Sequence, residues 1–119
     1  MKIFYAVALL LLISCTDDDK KNRLQTCNFD DSIESHPWLV ALKNSITNCS
    51  CEISIIQGTY QNQTVVFVAL TDPLCNGIDA PVLYDCDGKP IKVFSDSTAD
   101  QKELRENVTR DKVLYRCND

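Results

Sequence analysis

Apolar residues in this chain fall first into one unbroken run and then, after a polar interval, into short stretches that follow two different periods. The run occupies positions 3–13 and stops at Ser14-Cys15; positions 16–34 are polar and carry no period. At 35–46 helical spacing sets in, with Trp38, Leu39, Leu42 and Ile46 on one stripe. Ser35 is placed to cap this helix, and Pro37 is tolerated in its first turn. Downstream the period drops to two. Residues 52–57 alternate, 64–70 are rich in β-branched side chains, and Gln61-Asn62-Gln63 between them is short enough for a hairpin. Residues 81–86 and 90–94 flank Asp87-Gly88, a pair that predicts a two-residue type I′ turn because both central positions of that turn need positive φ.

Thr98-Ala99-Asp100-Gln101 resembles a capping box and opens a polar stretch with Leu104 and Val108 four apart, enough for one or two helical turns. Residues 112–117 read as a last strand. The pattern predicts an α+β fold: one amphipathic helix laid across an antiparallel meander sheet of about five strands. Its expected core is Trp38, Leu42, Ile53, Ile55, Phe67, Leu83, Tyr84 and Val93.

The apolar run has a different meaning. One lysine followed by about a dozen apolar positions is the length of a signal-peptide core and too short for a bilayer span, which needs roughly 20. Leu12-Ile13-Ser14-Cys15 resembles the bacterial lipobox, whose cysteine is lipidated and becomes the first residue of the mature protein. The organisation expected is a lipoprotein signal peptide at 1–14, a lipidated Cys15 with an acidic flexible tether to 34, and one small domain at 35–119. More than one acyl chain on Cys15 makes stable attachment to a membrane without a transmembrane helix. Asp17, Asp18 and Asp19 extend the tether by mutual repulsion. Together with Cys15 they also resemble the acidic export signal of Bacteroidota-type lipoproteins, which implies the outer face of the outer membrane; a periplasm-facing position is the alternative.

The charge balance, 12 basic against 17 acidic residues and a net −5, sets nucleic acid aside as a partner, since phosphate recognition needs clustered Lys and Arg. Six cysteines remain beyond Cys15: Cys27, Cys49, Cys51, Cys75, Cys86 and Cys117. An even number in a small exported domain predicts three disulfides. Cys49 and Cys51, two apart at the entry to a strand, lean to one face and are expected to find different partners. The pairing expected is that Cys27 or Cys117 ties down a terminus while Cys49 and Cys51 meet Cys75 and Cys86. A structural zinc site is not expected: Cys-x-Cys is not the zinc-ribbon pair, and the chain has one histidine, His36. Neither a catalytic residue nor a cofactor is assigned. No G-x-S-x-G, H-E-x-x-H or glycine-rich phosphate loop occurs, and the chain holds three glycines.

The ordered series Pro37-Trp38-Leu39, Cys51-Glu52-Ile53-Ser54-Ile55, Tyr60, Thr64-Val65-Val66-Phe67-Val68, Leu83-Tyr84-Asp85-Cys86-Asp87-Gly88 and Lys112-Val113-Leu114-Tyr115 resembles a small lipoprotein domain of unknown function from Bacteroidota-type bacteria. The resemblance covers roughly 35–117 and implies a fold and a location, not an activity. A rigid disulfide-held domain on an acidic tether fits a binding module whose partner is a protein or glycan, with contacts expected from 71–80 and 95–111. An inhibitor of secreted or host enzymes is the alternative class, and a structural component of an outer-membrane assembly a third.

Overall fold

A computed structural model describes residues 26–30 and 32–118. The fold is α+β: two helices, a five-stranded antiparallel sheet and three disulfides. Helix α1 spans Pro37–Ser45 and α2 Thr98–Asn107; the strands are β1 Ile53–Tyr60, β2 Gln63–Leu70, β3 Val82–Tyr84, β4 Pro90–Val93 and β5 Val108–Cys117. Their order across the sheet is β4-β3-β2-β1-β5. The first four strands form the expected meander. The fifth departs from it: α2 carries the chain across the sheet, and β5 pairs antiparallel with β1 on the far edge.

β1 and β2 are central and buried on both faces, as their nearly continuous apolar sequence requires. They pair in unbroken register from Ile53 opposite Leu70 to Tyr60 opposite Gln63. Alternation then sends Ile56, Tyr60, Val65, Phe67 and Ala69 to one face, where they pack with Leu83, Phe94, Val108 and Leu104 of α2. Ile55 and Val66 go to the other face, under Leu39 of α1 with Trp38, Leu42 and Ile46 around it. The sheet is therefore covered on both sides, not by one helix alone. Gly58 lets β5 come close, because a Cβ there would stand 1.9 Å from the carbonyl oxygen of Thr109. Ser54, fully buried, bonds the Thr71 hydroxyl at 2.8 Å, so its own hydroxyl is matched within the core.

Several expectations are corrected. The domain does not begin at 35: Phe29 is 3% exposed and lies in the α1-side core, and Cys27 is bonded to Cys86. The segment is bonded to the sheet through Thr64, Gln57 and Lys112, which meet the backbone of Cys27 and Phe29. The signal peptide, Cys15 and Asp17, Asp18 and Asp19 lie outside the described residues. Ser35 is not the cap of α1; it ends a 3₁₀ turn, Ile33–Ser35, capped by Ser32, and His36 precedes Pro37 as the first residue outside the helix. Helix α2 is longer than one or two turns, and its cap is Ser97, whose hydroxyl accepts the Asp100 N–H. Trp38, Leu42, Ile53 and Tyr84 are partly buried, and Ile55, Phe67 and Leu83 are fully buried, whereas Val93 is 65% exposed and its neighbour Phe94 fills the core instead.

The turns also exchange roles. Gln61 and Asn62 both have positive φ and make a two-residue I′-type reversal. At Asp87-Gly88 only Gly88 has positive φ, +84°. The Asp85 carboxylate accepts the N–H groups of Asp87 and Lys89, and Gly88 N–H meets the Asp85 carbonyl. This makes a three-residue loop with a left-handed glycine at its end. A Cβ on Gly88 would also meet the Trp38 indole at 2.7 Å, so this glycine lets the hairpin close against α1.

Candidate binding surface

The segment joining β2 to β3 is held at both ends. At its start, Thr71 N–H donates to the Glu52 carbonyl and its hydroxyl reaches the Glu52 carboxylate at 2.8 Å. Asp72 accepts the Leu74 N–H on one oxygen and the Glu52 N–H on the other, at 3.0 and 3.2 Å. Cys75 N–H bonds the Asp72 carbonyl, and Cys75 is bridged to Cys51, Cα atoms 6.1 Å apart. At its end, Asp79 accepts the Leu70 N–H at 2.9 Å and pairs with Arg110 at 3.4 Å, while Gln101 donates to the Asp79 carbonyl. An aspartate at each end replaces the partners that strand pairing would supply to a loop backbone.

Between these anchors two large apolar side chains point into solvent, Leu74 at 91% and Ile78 at 68% exposure. Isolated apolar residues on a surface are ordinary. Here both sit on one short segment whose backbone is fixed by a disulfide and two carboxylates. Their exposure is therefore built into the native loop and cannot be relieved by a local collapse onto the sheet.

Two hollows adjoin the segment. On the α1 side, Leu42, Ile46, Ile53, Val68, Pro81 and Val82 line an open apolar groove of about 450 Å³. A shallower extension of about 300 Å³ runs along α1 past Trp38 and Tyr84 to Gly88. On the α2 side, Phe67, Gly77, Ile78, Leu104, Val108 and two arginines, Arg105 and Arg110, line a second hollow of about 450 Å³.

All six expected cysteines are disulfide-bonded, in the pairs Cys27–Cys86, Cys49–Cys117 and Cys51–Cys75. Cys49 and Cys51 do take different partners, and Cys51 meets Cys75. Cys49 instead takes Cys117, and both Cys27 and Cys117 tie down ends of the domain, because β5 returns beside β1 and brings the C-terminus to the entry of that strand. Among the described residues, Cys51, Asp72 and Cys75 are the one group of three metal-ligating side chains within mutual reach, and the disulfide leaves them no thiolate. Asp85 and Asp87 lie in the hairpin loop, where Asp85 accepts two backbone N–H groups.

The expected contact segment 71–80 is a loop, but 95–111 is not: it is α2 and the start of β5. Within α2 the carboxyl of Asp100 is held below its usual range by the backbone N–H and then the hydroxyl of Ser95. Tyr60, hydrogen-bonded to the Glu103 carboxylate and buried, is pushed up to about 12. Leu74, Ile78 and the arginine-lined cavity were not picked out by sequence pattern. The one available signal is an apolar residue set between Pro73 and Cys75 in an otherwise polar loop. No family model, curated protein or solved structure matches the chain.

Proposed function

We propose that the chain is an outer-membrane lipoprotein, anchored through Cys15 and facing the exterior, whose disulfide-held domain binds a protein partner through the segment 71–80. The observation that carries this reading is the rigid outward presentation of Leu74 and Ile78. An apolar side chain carried on a backbone already held in place spares the loop-ordering cost of association, so it can serve as an anchor for a complementary pocket. A tether carrying three aspartates supports the reading by holding the domain away from an anionic surface.

The inhibitor reading is weaker at this loop. Inhibitors that offer an extended strand to a protease cleft need extended backbone around the exposed residue. Leu74 instead sits inside a hydrogen-bonded turn closed by Cys75 N–H on the Asp72 carbonyl. Titration against a panel of secreted proteases and lysozymes separates the classes, and micromolar inhibition of any member restores the inhibitor.

Crosslinking from intact cells carrying the tagged chain, with and without prior surface proteolysis, tests the proposal. Shaving should remove the tag, and a discrete crosslinked species should be lost in Leu74→Ser with Ile78→Ser while the melting temperature stays within a few degrees. Survival of the tag while a surface control is cut would end the outward-facing reading. Cys15→Ala should release the protein from membranes; continued anchoring would remove lipidation at that residue.

A further inference from the structure

Helix α2 sets Gln101, Leu104 and Arg105 on one stripe, and Val108 continues it at the start of β5. That stripe faces Phe67 of β2 and the Gly77-Ile78-Asp79 stretch of the loop, and with Arg110 it lines a half-open cavity of about 450 Å³. Small-molecule pockets run from about 300 to 1,000 Å³. The apolar wall comes from Phe67, Leu104, Val108 and Ile78.

The polar groups are unevenly matched. Asp79 is occupied, accepting the Leu70 N–H and pairing with Arg110. Arg110 is positioned by that contact and by the Phe67 ring, 6.0 Å from its guanidinium carbon, with most of its N–H groups still open. Arg105 has no hydrogen bond or ion pair to any described residue. Gln101 donates its amide N–H groups to the carbonyls of Asp79 and Ser95, which leaves its amide oxygen as an acceptor at the wall. In a chain of net charge −5, the lining of this cavity gathers two arginines against one engaged carboxylate.

We infer that this cavity is a binding site for a small monoanionic ligand with an apolar body, specifically a carboxylic acid bearing an aryl or branched alkyl group. The carboxylate meets the guanidiniums of Arg105 and Arg110, whose planar donor pairs match it in bidentate fashion. The apolar body rests on Phe67, Leu104 and Val108. Arg105 lies in the last turn of α2, where the helix dipole presents its negative end. That end weighs against any anion and more heavily against a dianion, so a carboxylate held by the two arginines fits better than a phosphate monoester. The site does not depend on the membrane anchor, and it shares the Gly77-Ile78-Asp79 stretch with the partner-binding segment proposed above.

The test is a ¹H–¹⁵N titration of the full chain with 3-phenylpropionate, beside 3-phenylpropan-1-ol and phenyl phosphate. Saturable shifts are expected at Gly77, Asp79, Leu104, Arg105 and Val108, with a Kd on the order of 10⁻⁴ M. The alcohol and the phosphate should each bind about tenfold more weakly or worse. Arg105→Gln, a change at an exposed side chain that bonds nothing described, should keep the unliganded spectrum and weaken 3-phenylpropionate by about tenfold or more. Lys102→Gln, exposed on the same helix but off the stripe, should leave binding unchanged. Absence of saturable shifts up to about 10 mM overturns the site. Equal binding of the alcohol, tighter binding of the phosphate, or an unaffected Arg105→Gln overturns the ligand class.

Discussion

Gln61 and Asn62 reverse the chain between the two central strands with both residues at positive φ, 50° and 63°. Asparagine tolerates that region, but glutamine lacks the short side chain that eases it, and the left-handed conformation costs roughly 1–2 kcal/mol. Gln61→Asn combined with Asn62→Gly should therefore raise stability by about 1 kcal/mol, visible as a rise of about 4–8 °C in Tm. Dipeptide preference alone predicts the I′ turn at Asp87-Gly88. The Asp85 carboxylate, by accepting two N–H groups, selects a three-residue loop instead. Tyr60 gives a second residue-scale test. Its folded-state pKa of about 12 lies above the ordinary value of 10, so the neutral form bonded to Glu103 is favoured by folding. The stability it contributes is complete below pH 10 and is lost as pH rises through 12. Melts across that window should slope downward in the native chain and flatten in Tyr60→Phe.

Among the elements, β1 and β2 were legible because their residues alternate and are β-branched, and α1 because its apolar stripe is wide. Helix α2 is longer than its pattern predicts: its surface is polar, and its length depends on the Ser97 cap with Asp100 folded back to Ser95, which periodicity does not register. The edge on which β5 pairs was not legible at all, because hydrophobic pattern fixes which face of a strand is buried but not which neighbour it joins. Val93 and Phe94 were exchanged for a related reason, since an edge strand with a register shift opposite it loses strict alternation. Gly58→Ala tests the β1–β5 seam. The new Cβ would meet backbone, not a movable side chain, so a loss of at least about 2–3 kcal/mol is expected in chemical denaturation. Removing Cys51–Cys75, whose cysteines are 24 positions apart in sequence, by a double serine substitution should cost about 3 kcal/mol on a chain-entropy account. It should also reduce partner crosslinking more than its effect on folding at ambient temperature explains.

At the scale of the whole molecule, the even cysteine count foretold a stapled domain, and the size of the ordered core explains the need for staples. The pairing was only partly legible because it depends on where β5 returns. The candidate surface was legible as a loop but not as exposed apolar residues, since exposure is a property of the packed whole. The three bridges span 27–86, 49–117 and 51–75, the first two overlapping and the third lying within both. Wherever the backbone is cut once between Cys27 and Cys117, at least one bridge still joins the two pieces. A protease that nicks the outward loop therefore leaves one covalent body, with the tether and C-terminal strand still attached to each other. Limited proteolysis should give a single band on a non-reducing gel that splits into two only after reduction. In the outward-facing location proposed above, this wiring would separate being clipped from being lost.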